Sequence, residues 1–317
     1  MSQSKHIFIT GGSGYIGSVV ISFAIQQGYT IHALSRSEAS DDKLRALGAT
    51  PIRGDLTTHS ILMKAARDAD IVISFADAKA GNWAMTQEER LRTNNAAVQA
   101  LANGLEGSNK TLIVTSGSLL VSADAEGKET DEETTMWPNS PFGQGGEPFA
   151  LGLGKKKGIR VCVVRLAPWV YGRGGSGVKL FMGRFSQAGE VFYVGEGNAR
   201  TTTVHVDDAA RLYLLVAEKG RAGEVYNATW ETSVSFREKA ESMAMMLGIP
   251  VRSQSFGETE KKMGVFLANF LSLENRASNR KARQELGWEI RAEKGILEDI
   301  KSGSYLRVAE ELRKATA

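Results

Sequence analysis

The stretch His6-Ile-Phe-Ile-Thr-Gly-Gly-Ser-Gly-Tyr-Ile-Gly17 joins an apolar run to a glycine-rich turn, and a helical pattern of apolar residues follows as far as Gly28. In such a strand, turn and helix, Gly11 permits the tight turn, Gly14 lets a pyrophosphate approach the backbone, and Gly17 allows close helix packing. The positive end of the helix then faces the phosphate charge. The sequence therefore predicts a dinucleotide-binding protein. The predicted contacts in this turn are Gly11, Gly12, Ser13, Gly14, Tyr15, Ile16 and Gly17.

The residues after the second predicted strand indicate which dinucleotide is bound. Thr30 to Leu34 has a strand pattern, and Ser35-Arg36-Ser37 follows where NAD-preferring sites carry an acidic residue. Because Arg36 can pair with a 2′-phosphate and Ser35 can donate a hydrogen bond to it, we expect NADP(H) rather than NAD(H). The alternative interpretation is a solvated arginine that merely follows a strand.

The composition is that of an ordinary globular chain. Its 39 basic and 36 acidic side chains give a formal charge of +3 without a long basic stripe, which argues against nucleic acid or a membrane as partner. No apolar run approaches the roughly 18 residues of a membrane span, so a cytoplasmic protein is expected. A single Cys162 and four scattered histidines offer no zinc spacing, and we expect no metal.

Strand-like runs alternate with helical patterns through the first half of the chain. The predicted strands are His6 to Thr10, Thr30 to Leu34, Thr50 to Arg53, Ile71 to Ala76, Thr111 to Thr115 and Ile159 to Arg165. This alternation predicts an α/β fold with a doubly wound parallel sheet of the Rossmann type. Right-handed crossovers bring the carboxyl ends of such strands to one edge of the sheet, where ligands bind.

The pattern changes near residue 172. Residues 1–172 are predicted to form a dinucleotide-binding Rossmann domain, to which the chain returns around 203–228. Residues 173–317 are predicted to form mainly a smaller C-terminal lobe that binds the substrate. The polar segment between Ser122 and Glu147 is too long for a tight connection, and we expect it to overhang the cofactor as a loop.

Several short motifs occur along the chain in a characteristic order. They are Thr10-Gly-Gly-Ser-Gly-Tyr-Ile-Gly17, Gly54-Asp-Leu56, Asn94 at the expected opening of the helix after the fourth strand, Arg165-Leu-Ala-Pro-Trp-Val-Tyr-Gly172, Val204-His-Val-Asp-Asp-Ala-Ala210, Gly223-Glu-Val-Tyr-Asn227 and Ser278-Asn-Arg-Lys-Ala-Arg-Gln-Glu-Leu-Gly-Trp288. Together they resemble the extended short-chain dehydrogenase/reductase superfamily, also called the NAD-dependent epimerase/dehydratase family. The resemblance covers nearly the whole chain.

The resemblance implies positions for the cofactor and the substrate. Beyond Ser35 and Arg36, the implied cofactor contacts are Asp55 and Leu56 at the adenine, Phe75, Ala76 beside the nicotinamide-side ribose, Asn94, Thr115, and Pro168 with Val170 at the nicotinamide. The candidate substrate contacts are Asp77, Trp83, Phe142, Trp169, Tyr193 and Arg200. Of these, Arg200 matches the arginine that meets substrate phosphate in nucleotide-sugar members. Asp207 and Asp208 are expected to cap the following helix rather than to catalyse.

The chain departs from the family at its catalytic pair. The family's tyrosine, and the lysine four residues later, are expected where this chain has Phe142 and Gly146. The absent phenol would exchange a proton with the substrate oxygen, and the absent lysine would lower the pKa of that phenol. Ser116 and Ser118 lie near the family's hydroxyl donor and are the candidate catalytic residues. Hydrogen bonds to the backbone of their own turn are an equally weighted alternative.

A further proton donor is then needed, and the candidates by fold position are Asp77, Lys79, Tyr171, Tyr193, Glu147 and His205. The preferred hypothesis is an NADP(H)-dependent oxidoreductase that transfers hydride to or from a small apolar carbonyl or alcohol. A small molecule is thus the expected partner, with a homodimer as a possible assembly. A non-catalytic sensor of NADP(H) or a metabolite, and a non-redox isomerase or lyase, are the alternatives.

Overall fold

A computed structural model describes residues 5–82, 84–143 and 145–316. The strands are β1 His6–Thr10, β2 Thr30–Ser35, β3 Thr50–Arg53, β4 Ile71–Ser74, β5 Thr111–Gly117, β6 Arg160–Leu166, β7 Trp169–Tyr171, β8 Val191–Val194, β9 Arg200–Thr201, β10 Thr203–His205, β11 Val225–Ala228, β12 Val234–Ser235 and β13 Val251–Gln254. The α-helices are α1 Tyr15–Gln26, α2 Glu38–Ala46, α3 His59–Asp68, α4 Gln87–Leu105, α5 Glu147–Lys157, α6 Ser176–Ala188, α7 Val206–Lys219, α8 Phe236–Leu247, α9 Phe256–Met263, α10 Val265–Phe270, α11 Arg280–Leu286, α12 Ile296–Ser302 and α13 Leu306–Thr316.

The main sheet has seven strands in the order β11-β6-β5-β4-β1-β2-β3, and neighbouring strands run parallel. This confirms the predicted doubly wound fold. The ends of the second and sixth strands differ from the prediction by one residue, and those of the fourth and fifth strands differ by two. The fourth strand ends at Ser74 rather than Ala76, so Phe75 and Ala76 begin the loop that follows it. The fifth continues to Gly117, so Ser116 belongs to the strand itself.

Alternate residues of β1 enter different hydrophobic cores, as a sheet covered on both faces requires. Ile7 and Ile9 pack in a core on the side of α1 and α7, whereas Phe8 packs in a core on the side of α3 and α4. All three side chains are fully buried. Helices packed on both faces of the sheet therefore hold β1, and the turn that follows it, in a fixed position.

A third core is formed by residues beyond the main sheet. It is built mainly from α6, β8, α8, α12 and α13, and it includes Trp169 and Tyr171 of β7. We call these elements the C-terminal lobe. The chain returns to the main sheet through β11, which pairs with β6, and α7 packs against α1. The division of the chain into two domains near residue 172 stays a prediction.

The described residues between 122 and 146 form neither helix nor strand, but they are fastened at several points. Thr130 forms a bridge with Ala277. The Glu132 side chain accepts a hydrogen bond from the Asn227 backbone N–H at 2.8 Å. The middle of the connection is therefore held against the segment just before α11 and against β11. That it covers the cofactor stays a prediction.

Candidate functional site

The turn after β1 has a geometry that requires glycine at two positions. Gly11 has φ of +74°, and a Cβ atom there would lie 2.8 Å from the backbone nitrogen of Ala76. A Cβ atom on Gly17 would collide with the Gly11 carbonyl oxygen. Backbone therefore packs against backbone at both sites, which brings the start of α1 close to the ends of β1 and β4.

The N-terminus of α1 carries no cap from a side chain. Its N-cap residue is Gly14, and the first turn has no acidic residue. The first N–H groups of a helix have no partner within the helix, so those of Tyr15, Ile16 and Gly17 are available as donors. A pyrophosphate would supply the missing acceptors and meet the positive end of the helix dipole. The residues present therefore fit the phosphates of a dinucleotide.

The corner after β2 holds Arg36 at the surface. The Ser35 side chain is buried, and its hydroxyl donates to the Ser37 carbonyl at 3.1 Å. Hydrogen bonds from Thr57 lower the pKa of Asp55, and the charge of Arg36 adds to this effect. Leu56, the other predicted adenine contact, is buried in the core beside α3 and α4. At this corner, Arg36 is thus the cation open to a ligand, while Ser35 is engaged with its own turn.

The loop after β4 is tied to both neighbouring elements. The Ala76 backbone N–H donates to the Thr10 hydroxyl at 3.2 Å, and the Ala78 N–H donates to the Asn94 side-chain oxygen at 2.9 Å. Asn94 was expected to open the helix after the fourth strand, and this expectation is wrong. The helix α4 begins at Gln87 behind a capping box formed by Thr86 and Glu89, so Asn94 lies well inside it. From there its amide holds the loop that carries Ala76.

Asp77 is fixed in this loop as a carboxylate. It forms an ion pair with Arg90 at 2.7 Å and accepts hydrogen bonds from Lys79 N–H and the Asn94 amide. Burial raises the pKa of Asp77, but Arg90 outweighs this effect and the pKa lies below its usual value. Asp77 is therefore ionised at neutral pH and is a poor proton donor.

The two candidate serines at the end of β5 differ in their surroundings. Ser118 is buried, its hydroxyl donates to the Asn275 side-chain oxygen at 2.9 Å, and the Asn275 amide donates back to the Ser118 carbonyl at 3.0 Å. Ser116 is only partly buried. The nearby Thr115 hydroxyl lies 2.9 Å from the Tyr213 hydroxyl. Ser116 is thus the serine better placed to meet a substrate, while Asn275 is a partner that the sequence did not reveal.

Phe142 and Gly146 lie just before α5. The Phe142 ring is buried and packs edge-on against Phe266, with 5.3 Å between ring centroids. The Lys79 ammonium lies 5.6 Å from the centroid of Phe266. Among the described residues, no carboxylate pairs with Lys79. The structure therefore brings a lysine near the place where the resemblance puts the absent tyrosine, although that alignment stays a prediction.

Two other candidate donors are occupied. Glu147 and Arg165 form a buried ion pair, with side chains 3% exposed and 2.5 Å between the nearest atoms. The Tyr171 hydroxyl donates to the Lys294 carbonyl at 2.7 Å, and burial raises the pKa of that phenol. Neither group is open to a substrate, so we exclude both as proton donors.

His205 acts as the N-cap of α7. Its ring nitrogen accepts a hydrogen bond from the Asp207 N–H at 3.2 Å. The expectation that Asp207 and Asp208 cap this helix is therefore wrong, because the helix begins before them. Asp208 is fully buried and accepts hydrogen bonds from the backbone of Arg291 and Ala292. It ties α7 to the segment after α11.

The predicted substrate contacts are only partly brought together. Trp169 and Tyr193 line one cavity in the C-terminal lobe. Arg200 forms an ion pair with Glu274 at 2.8 Å, so a substrate phosphate would have to compete with a carboxylate there. Trp83 lies outside the described residues. No cluster of three or more potential metal ligands occurs in the described part of the chain, nor does any helix there have the length and apolarity to cross a bilayer.

The parallel sheet, with its glycine turn at the point where β1 and β4 diverge, defines a dinucleotide-binding α/β protein. The model of the NAD dependent epimerase/dehydratase family matches residues 7–229. The chain belongs to this family, whose members bind a nicotinamide dinucleotide.

Three similar proteins illustrate this membership. The uncharacterized protein YLL056C of Saccharomyces cerevisiae is 33% identical over 308 residues, which cover 95% of this chain and 99% of that protein. A decarboxylating sterol-4-alpha-carboxylate 3-dehydrogenase of Dictyostelium discoideum is 29% identical over 247 residues, or 74% of each chain. The dTDP-glucose 4,6-dehydratase of Bacillus anthracis, solved in complex with NAD, shares the fold with a TM-score of 0.76, at 19% identity over 99% of this chain and 100% of that one.

Proposed function

We propose that this protein is an NADP(H)-dependent oxidoreductase that transfers hydride to or from a small, rather apolar carbonyl or alcohol. The observation that carries the proposal is the placement of two phosphate-binding features at one edge of the sheet. These features are the uncapped N-terminus of α1 and the exposed Arg36 after β2. A pyrophosphate fits the first and a 2′-phosphate fits the second.

The apolar character of the substrate is supported by the residues near the predicted nicotinamide position. Phe142 and Phe266 form an aromatic contact where the resemblance places the catalytic tyrosine. The Dictyostelium relative is by its name a dehydrogenase of a sterol carboxylate, a largely apolar molecule. Aromatic walls beside the nicotinamide would exclude water from the hydride transfer, and they favour apolar substrates.

The proposed mechanism assigns separate tasks to this chain's residues. When bound, the dinucleotide supplies or accepts the hydride. Pro168 and Val170, which the resemblance places at the nicotinamide, would hold its ring. The Lys79 ammonium stabilises negative charge on the substrate oxygen and exchanges a proton with that oxygen at Nζ. The Ser116 hydroxyl donates a second hydrogen bond to the same oxygen. Lys79 thus replaces the absent phenol.

The test is the oxidation of NADPH with a panel of apolar aldehydes and ketones, followed by absorbance and by transfer of deuterium from labelled NADPH to the product. We expect turnover with NADPH that exceeds turnover with NADH. The chain has Phe142 and Gly146 where the resemblance expects the catalytic tyrosine and lysine. This difference favours one second candidate, a non-catalytic sensor of NADP(H). Tight NADPH binding without turnover of any carbonyl in the panel would support that sensor and refute the reductase.

A further inference from the structure

The Phe266 ring of α10 contacts the loops at the ligand-binding edge of the main sheet. It packs edge-on against Phe142, which precedes α5, with 5.3 Å between ring centroids. Its centroid also lies 5.6 Å from the ammonium of Lys79, in the loop after β4. One side chain of α10 therefore touches both the aromatic wall and the proposed proton donor.

The last turn of α10 is anchored in the C-terminal lobe. Phe270 stacks on Phe181 of α6, with 6.1 Å between centroids and 11° between ring planes, and it also contacts Trp169. Leu267 and Phe270 pack against the core of the lobe, whereas Phe266 belongs to none of the three cores of the described residues. The anchored helix therefore presents Phe266 away from the lobe's interior.

Phe142 and Phe266 shield each other from water. Phe142 is only 8% exposed, although it too lies outside the three described cores. An edge-on aromatic contact adds little to the area that the rings bury, so an apolar substrate that covers the same area can replace one ring as the partner of the other. A carbonyl oxygen that accepts from Lys79 Nζ at about 2.9 Å also lies close to the Phe266 ring. On the side of α10, the substituent of that carbonyl meets Phe266.

We propose that Phe266 determines substrate specificity by limiting the width of the carbonyl substituent next to Lys79. This inference rests on the proposed function, in which Lys79 meets the substrate oxygen. The ring is rigid, and α10 is held by Phe270, so a wide substituent collides with Phe266. A misfit of one methylene group in an apolar site changes selectivity about 10–200-fold, so a single ring is enough to discriminate between substrates.

Steady-state kinetics with two aldehydes test this inference on the full chain with saturating NADPH. Benzaldehyde carries one flat ring, and 1-naphthaldehyde has a second ring beside the carbonyl. Phe266→Ala should lower kcat/KM for benzaldehyde, because a wall of the site is lost, and raise kcat/KM for 1-naphthaldehyde. We expect the ratio of the two values to change at least about tenfold in favour of 1-naphthaldehyde.

Two further variants show whether the ring itself is responsible. Phe266→Leu keeps an apolar side chain without the ring, so it should change the ratio in the same direction but less. Val265→Ala is the matched control, because Val265 precedes Phe266 on α10 and is 55% exposed. We expect the wild-type ratio in this control. A ratio that stays unchanged in both Phe266 variants, or that changes as much in Val265→Ala, would overturn the inference.

The binding of two amides separates this inference from the proposed function. Benzamide and 1-naphthamide keep the carbonyl oxygen but resist hydride transfer, so calorimetry with saturating NADPH measures fit without turnover. Phe266→Ala should lower the Kd of 1-naphthamide relative to that of benzamide at least about tenfold. This shift without turnover of any aldehyde would support the role of Phe266 and refute the hydride transfer.

The opposite results are equally distinct. Turnover of benzaldehyde with neither ratio shifted in Phe266→Ala would refute the role of Phe266 and leave the proposed hydride transfer standing. Failure of both amides to bind the wild-type protein and Phe266→Ala would also overturn the inference, because the space beside Phe266 would then not receive a carbonyl compound.

Discussion

The helices α1 and α8 begin with the same backbone but complete their first turns differently. Gly14 before α1 has φ −80° and ψ 176°, and Ser235 before α8 has φ −79° and ψ 160°. At α8, the Ser235 hydroxyl accepts a hydrogen bond from the Glu238 N–H, and the Glu238 carboxylate accepts from the Ser235 N–H. At α1 no side chain takes either role.

This difference separates a structural helix end from a binding one. A capping residue stabilises a helix by about 1 kcal/mol, so a helix without one forgoes that stabilisation. The capping box of α8 satisfies donors that would otherwise need water. At α1 the Gly14 N–H donates to the Gly11 carbonyl at 3.1 Å, whereas the Gly17 N–H, which corresponds to that of Glu238, stays available. An anionic ligand can therefore accept from the first turn of α1 in the way that the Ser235 hydroxyl accepts from that of α8.

The most severe change is to give α1 a cap of its own. Gly14→Asp places a carboxylate where the N-cap conformation accepts one, so it should occupy the free N–H groups and repel a pyrophosphate. We expect the Kd for NADPH to rise at least about a hundredfold, roughly 2.7 kcal/mol, while thermal stability is kept. Gly14→Ala is the matched control, since it adds a Cβ atom without charge. Calorimetric titration measures both, and an equal loss with alanine would assign the effect to steric hindrance.

Replacement of Lys79 tests the proposed proton donor. Lys79→Met keeps the aliphatic stem against Phe266 but removes the charge, so we expect kcat to fall about a hundredfold with little change in NADPH affinity. Lys79→Arg should retain more activity, because a cation still faces the substrate oxygen. Steady-state and single-turnover kinetics on the best carbonyl of the panel give the comparison. Unchanged kcat in Lys79→Met would mean that this lysine is only a surface cation.

A smaller effect is expected at the corner after β2. Arg36→Ala should weaken NADPH binding by about 1.5–3 kcal/mol, the usual range for hydrogen bonds to a charged group, and leave NADH binding nearly unchanged. Arg45→Ala is a suitable control, because Arg45 is also exposed on α2 and pairs with Asp42. Titration of each variant with both dinucleotides measures the ratio of affinities. Equal losses for NADPH and NADH would contradict the preference for NADP(H).

The features that could be predicted from the sequence depend on neighbours along the chain. The strand, turn and helix around Gly11 to Gly17 were readable because hydrophobic periodicity and glycine spacing are local signals. Local signals also placed six of the seven strands of the main sheet, with errors of a residue or two at their ends. The capping box at Ser235 and Glu238 has the same local character, with two residues between its partners.

The features that could not be predicted depend on contacts between distant segments. Ser118 and Asn275 are 157 residues apart, and no spacing rule connects them. Asn94 was misplaced because it lies inside α4, which begins at Gln87, and from there accepts a hydrogen bond from the Ala78 N–H, 16 residues earlier. Lys239 follows Glu238 in a helix that has charged neighbours, so its burial among Trp169 and Phe236 emerges only from tertiary packing. The chemistry of the site is therefore less readable than its architecture.

The smallest effect is expected at the capped helix itself. Ser235→Ala removes the hydroxyl that accepts from Glu238 N–H, and α8 packs in the C-terminal lobe rather than beside the glycine turn. We expect a loss of about 1 kcal/mol in the free energy of unfolding, measured by urea denaturation, with the Kd for NADPH unchanged. Ser255→Ala provides a comparison, because the same capping box begins α9. If Ser235→Ala weakened NADPH binding as strongly as Gly14→Asp, the distinction between a structural and a binding helix end would fail, since a cap far from the turn would then control the cofactor.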